Sequence, residues 1–120
     1  MSGTNAEIGQ RLKEVRYIFN EGGKLSAEQF AYLLEETGDR IRNYEFGKAG
    51  IPVRLLYNLY HRGFNPIYII TGEGSIFAPN SQGKELENNI QNRRAVINNM
   101  KLVKQNSNKL DKVAAGKLDD

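Results

Sequence analysis

The chain contains no cysteine. Disulfides, thiol chemistry and thiolate metal sites are therefore excluded, and a reducing compartment suits it. It has one histidine, His61, with no acidic residue at ligand spacing beside it. A metal site needs several converging ligands, so His61 is expected to be neither a ligand nor a general base. Gly72-Glu73-Gly74 lacks the GxxxxGK[ST] spacing of a phosphate loop. No Ser-His-Asp or paired-carboxylate constellation stands out. Neither an enzyme nor a cofactor is expected. No apolar run approaches the roughly 20 residues that span a bilayer. The opening MSGTNAEIG has no basic-then-apolar signal pattern. The expected location is the cytoplasm, with no membrane partner.

A broad positive excess is also missing from most of the chain. Residues 1–80 carry nine basic and nine acidic side chains, and residues 81–120 carry eight and five, so the net charge of +3 lies in the tail. Much of the affinity of DNA-binding domains comes from phosphate contacts. Nucleic-acid binding by residues 1–80 would have to rest on a local basic patch.

What is present is helical patterning in a chain of 120 residues, enough for one domain and an appended element. Helix 1 is expected over Asn5–Phe19, opened by Thr4 and Glu7 as a capping box and buried through Ile8, Leu12, Val15 and Phe19. The glycines of residues 21–24 stop it. Helix 2 follows Ser26, which with Gln29 forms a second capping box, and buries Phe30, Ala31, Leu33 and Leu34. Helix 3 starts near Gly38 with Thr37 as N-cap, with Ile41 and Tyr44 inward. Gly47 and Gly50 end it. Pro52 suits the first turn of helix 4, whose apolar positions are Val53, Leu55, Leu56, Leu59 and Tyr60. Gly63 is its stop, and Phe64 packs across the loop. Asn65 and Pro66 open a short fifth helix with Ile67, Ile69 and Ile70 as core candidates. Residues 71–83 read as a loop with Ile76 and Phe77 tucked back. From Lys84 to about Leu110 no proline or glycine occurs, which predicts one long amphipathic helix. Residues 111–120 read as a frayed polar tail. The long helix is rich in asparagine and marginal alone, so it needs a partner surface. A second copy of the chain is the simplest one, and packing on its own core is the alternative.

Several of these landmarks resemble the phage-repressor-like helix-turn-helix proteins, the lambda repressor and Cro superfamily (XRE type). They are Ile8-Gly9-Gln10-Arg11-Leu12-Lys13, Leu25-Ser26 before helix 2, Ala31, Ile41, Tyr44-Glu45 with Gly47-Lys48, and Ile69-Ile70-Thr71-Gly72-Glu73-Gly74. The similarity covers roughly residues 7–77. It implies an all-α, five-helix repressor-like domain (residues 1–80) followed by a C-terminal helix and tail (residues 81–120). The chain departs from the family at four points. The usual glycine of the turn is Glu35, the usual glutamine opening helix 2 is Ala27, and Gly38 and Asp39 replace a Gln/Ser pair in the first turn of helix 3.

The resemblance implies binding of double-stranded DNA, with helix 3 reading the major groove. Arg40, Arg42 and Asn43 are the base-reading candidates, since Arg bonds guanine and Asn bonds adenine. Gly38 and Asp39 lie in the same first turn, and Asp39 suits only a cytosine amino group. Arg11, Ala27, Lys48 and Arg54 are candidates for phosphate contact. An ordinary solvated face, with Arg40 paired to Glu36, is the plainer alternative. Glu45 is expected to be structural, paired with Arg11 or Arg16. Leu86, Ile90, Ile97, Met100 and Val103 are the dimerisation candidates. A homodimer would set two copies of helix 3 about 34 Å apart on DNA. The resulting expectation is an operator-binding transcriptional repressor. The rival is a protein-interaction or oligomerisation module on the same scaffold, in which Glu35, Glu36 and Asp39 mark a surface that does not meet DNA and a regulatory protein is the partner.

Overall fold

The computed structural model describes residues 4–21 and 23–118, with side chains as far as residue 100. Six helices make up these residues: α1 (Asn5–Phe19), α2 (Ala27–Leu33), α3 (Gly38–Glu45), α4 (Val53–His61), α5 (Pro66–Thr71) and α6 (Ser81–Leu118). No strand occurs among them. Two isolated antiparallel bridges, Asn20 with Gly23 and Phe64 with Phe77, are the nearest approach to one. The fold is all-α.

Local chemistry sets the boundaries. The Ser26 hydroxyl accepts from the Gln29 amide and the Gln29 side chain accepts from the Ser26 amide, so the expected capping box opens α2. At α1 only half of it forms. The Thr4 hydroxyl accepts from the Glu7 amide, but the Glu7 carboxylate accepts from the Thr4 hydroxyl rather than from a backbone amide. Asn65 caps α5 with Pro66 at its first position, where the missing N–H would have no partner anyway. Pro52 is the N-cap of α4, one position earlier than expected. Its backbone is extended and its carbonyl accepts from Leu55 and Leu56.

The core runs through Leu12, Val15, Phe30, Ala31, Leu34, Ile41, Leu55, Leu59, Phe64 and Ile69, all nearly inaccessible. α1 lies against α2, α3 and α5, and α2 packs on α3. Phe19 joins α1 to the interior, edge-on to Phe30 (5.2 Å between ring centres) and stacked on Phe64 (5.6 Å). Tyr68 of α5 donates to Glu14 of α1 (2.8 Å), and that bond raises its pKa. Several expected core residues are outside instead. Ile67, Ile70, Val53 and Leu33 are exposed. A helix of six or seven residues buries one narrow stripe, so in α5 Ile69 alone is buried while Ile67 and Ile70, three apart, share the outer face.

The junction at residues 71–83 also differs from expectation. The loop ends at Asn80 and α6 begins at Ser81, three residues before the expected start. Asn80 Oδ1 accepts from the Gly83 amide (2.7 Å), and Asn80 Nδ2 donates to the Tyr60 carbonyl at the end of α4 (3.0 Å). One side chain thus caps α6 and anchors it to α4. Gly83, the last residue of the expected loop, lies in the first turn of α6 and is a point of close approach. An added Cβ would stand 1.9 Å from the Ala78 carbonyl oxygen. At its other end α6 continues to Leu118, past the expected end near Leu110. None of the helices is long and apolar enough to cross a membrane among the described residues.

The chain divides into two compact units, Met1–Asn89 and Ile90–Asp120. The division falls inside α6, and Asn80, Gly83 and Leu86 integrate the first turns of α6 into the first unit. In the second unit, Gln91 to Met100 are exposed throughout.

These contacts make Gly83 a sensitive position. Alanine favours an exposed helix by about 1 kcal/mol over glycine, but overpacking against fixed backbone costs about 1–3 kcal/mol. Thermal denaturation followed by circular dichroism is expected to show Gly83→Ala destabilised. Asn92→Ala, on an exposed turn of the same helix, is expected to be neutral or stabilising.

Candidate functional site

The α2–α3 unit begins at the Ser26 cap and turns through residues 34–37. The Glu36 amide donates to the Ala31 carbonyl (2.8 Å), which closes the turn. Glu35 between them has φ +57°, the left-handed conformation that favours glycine. The turn thus places a non-glycine residue at positive φ, at a cost of about 1–2 kcal/mol. Thr37 then caps α3, its hydroxyl accepting from the Arg40 amide (3.2 Å).

α3 is held from beneath. Ile41, Tyr44 and Glu45 are buried. The Glu45 carboxylate, 7% exposed, takes a two-pronged contact from Arg16 of α1, Nε to Oε2 and Nη2 to Oε1, both 2.8 Å. Arg16 Nη1 donates to the Leu25 carbonyl just before α2 (2.8 Å). The expected pairing of Glu45 with helix 1 therefore goes to Arg16, whose pKa is raised, chiefly by this bond. Beside it, α1 touches the end of α3 through Gly9, where an added Cβ would lie 2.3 Å from the Tyr44 carbonyl oxygen.

On the outer side, two ionic clusters gather most of the basic candidates. Glu36 forms the first. Its side chain is 1% exposed, Oε1 accepts from Arg54 of α4, and Oε2 lies 3.8 Å from Arg40 with no hydrogen bond of its own. Arg42 forms the second, donating to Glu28 of α2 and, at 2.9 Å, to Asp39. These contacts raise the pKa of Arg42 and lower that of Glu28, each mainly through their mutual hydrogen bond. Gly38 lies against this pair. A Cβ there would be 3.1 Å from Glu28 Oε1 and 3.3 Å from Arg42 Nη2.

The other candidates sit as follows. Asn43 and Lys48 are exposed, and the Lys48 ammonium is 5.9 Å from the centre of the exposed Phe46 ring. Ala27 is buried at the first position of α2. Arg11 is turned toward the end of α5, where Nε donates to the Ile69 carbonyl (2.8 Å) and Nη2 to the Ile70 carbonyl (3.1 Å). Of the dimerisation candidates, Leu86 and Ile90 are buried within the single chain, Ile97 and Met100 are exposed, and the Val103 side chain lies outside the described residues. His61 is in edge contact with Tyr57 and Tyr60. Glu28 was not a sequence candidate. Its partner is fourteen residues away on another helix, a separation that no helical period marks, whereas Arg40–Glu36 and Arg42–Asp39 fall at i,i+4 and i,i+3.

Removing one partner of a buried ion pair leaves the other charge uncompensated, at a cost of about 3–5 kcal/mol. Arg16→Met is therefore expected to destabilise the fold by about 3 kcal/mol or more in urea denaturation. Arg16→Lys, which cannot make the two-pronged contact, should recover only part of the loss.

Comparison with protein-family profiles, with curated proteins and with solved structures finds no match for this chain.

Proposed function

We propose that the chain binds double-stranded DNA in a sequence-specific manner and regulates transcription by occupying its site, with α3 entering the major groove. The proposal takes the first five helices as a repressor-like domain and α6 as an appended helix that joins two copies. The observation that carries it is the mounting of α3. Its inner side is anchored by Ile41, Tyr44 and the Arg16–Glu45 pair, while Arg40, at 60% exposure, and Asn43 stand in solvent. A rigidly held helix with exposed Arg and Asn side chains suits the reading of guanine and adenine edges. Lys48 and Arg54 are exposed basic residues suited to flanking phosphates.

One observation favours the second reading, a protein-interaction module. Arg40, Arg42 and Arg54 each have a carboxylate partner within the chain, so α3 offers less free positive charge than its sequence suggests. The two readings separate in solution. Fluorescence anisotropy across a salt titration, with random duplex and with duplexes selected from a random pool, is expected to show selective binding that weakens as salt rises. The log–log slope should be about −0.9 per phosphate contact. Asn43→Ala is expected to reduce affinity for the selected duplex by about 1–3 kcal/mol, roughly 5- to 150-fold, and Lys48→Ala to weaken selected and random duplex alike. Absence of binding at micromolar protein in low salt would overturn the DNA reading and leave the interaction module.

A further inference from the structure

We infer that Glu28 is a specificity-determining residue of the proposed DNA-reading surface: it restrains Arg42 so that random DNA is bound poorly. The inference rests on the reading of α3 as the DNA-contacting helix.

Arg42 is engaged on both sides of its guanidinium, by Glu28 from α2 and by Asp39 from its own helix. The two carboxylates and one guanidinium leave this cluster with a net charge of −1. Gly38 leaves room for the contact: Glu28 passes close to it in the first turn of α3 to meet Arg42, and a Cβ there would be 3.1 Å from Glu28 Oε1. Both partners keep water contact, Asp39 being 90% exposed and Glu28 64%. The cluster is therefore not needed to fill the interior, and its members are free to exchange partners.

Random-sequence binding is driven by phosphate charge. To a phosphate, an arginine already paired with two carboxylates offers no net attraction, and Glu28 adds repulsion. A correctly placed guanine offers two acceptors that match the guanidinium fork, so only there does Arg42 gain enough to leave or share its carboxylates. Discrimination then comes from weakening the wrong complexes more than the right one. Glu36 does not serve this purpose, because its side chain is 1% exposed and is enclosed between Arg40 and Arg54.

The test is Glu28→Gln, which keeps shape and removes charge at an exposed site. Its control is Glu73→Gln, the same charge change at an exposed residue of the loop after α5. Both variants are checked by thermal denaturation, then titrated with random duplex and with duplex selected by the wild-type chain. Glu28→Gln is expected to raise affinity for random duplex on the order of fivefold, the scale of one unit charge acting over a few ångströms in water. Its salt slope should steepen by about 0.9, one further phosphate contact. The preference for selected over random duplex should fall, and Glu73→Gln should show a smaller change in each quantity. In an Arg42→Ala background the effect of Glu28→Gln should vanish. Persistence of the effect there would overturn the inference, since Glu28 would then act by general repulsion. Selective binding by the wild-type chain with no change in Glu28→Gln would also overturn it, while the DNA reading stands. Binding of random duplex by Glu28→Gln alone would support the restraint and overturn sequence-specific binding by the native chain. No binding by either protein would overturn both.

Discussion

The Arg16–Glu45 ion pair is the contact around which the first unit is organised. It joins the last turn of α1 to the end of α3, and the third arm of the same guanidinium holds the Leu25 carbonyl at the entrance to α2. Three segments distant in sequence are thus fixed by one planar group. The chemistry requires arginine, because only its rigid fork satisfies both carboxylate oxygens and a carbonyl together. Burial makes the pair costly to form and more costly to break. Gly9 belongs to the same arrangement, since α1 touches the Tyr44 and Glu45 carbonyls only where it has no side chain. These contacts give α3 a fixed orientation, with Ile41 and Tyr44 inside and Arg40 and Asn43 outside.

The outer side of α3 is governed by a different balance. Exposed ion pairs contribute little to stability, a median of about 0–1 kcal/mol. The contacts of Arg42 with Glu28 and Asp39 therefore matter less for folding than for what the surface presents to a charged partner. Glu36 differs from them. Its buried carboxylate serves Arg54 and stands near Arg40 at once, which ties α3 to α4 and orients two arginines. A polyanion approaching this surface would meet arginines already placed but largely neutralised.

Local sequence carried much of the fold. The Ser26–Gln29 box, the Thr37 cap, the Asn65-Pro66 start and the periodic apolar residues of α1 mark helix ends and buried faces, because capping and amphipathicity are short-range effects. The same logic offered Arg40–Glu36 at helical spacing, and Glu45 meets a basic residue of α1 as expected. It left Ser81–Gly83 in the loop before the long helix, whereas they form its first turn. A glycine where a helix must pass close to a carbonyl looks, in one dimension, like a glycine of a loop.

Sequence by itself determined the all-helical class, the order of the first five helices and the start of all of them but α4, and the absence of thiol chemistry. Each depends on residue type or on neighbours within about four positions. Tertiary structure alone decided that Arg16 rather than Arg11 takes Glu45, that Arg11 serves the α5 carbonyls, that Arg54 goes to Glu36, and that Glu28 reaches Arg42 across Gly38. Long polar side chains have many possible partners of similar energy. Which one they meet depends on how helices far apart in sequence are brought together, and the packing of the apolar core sets that.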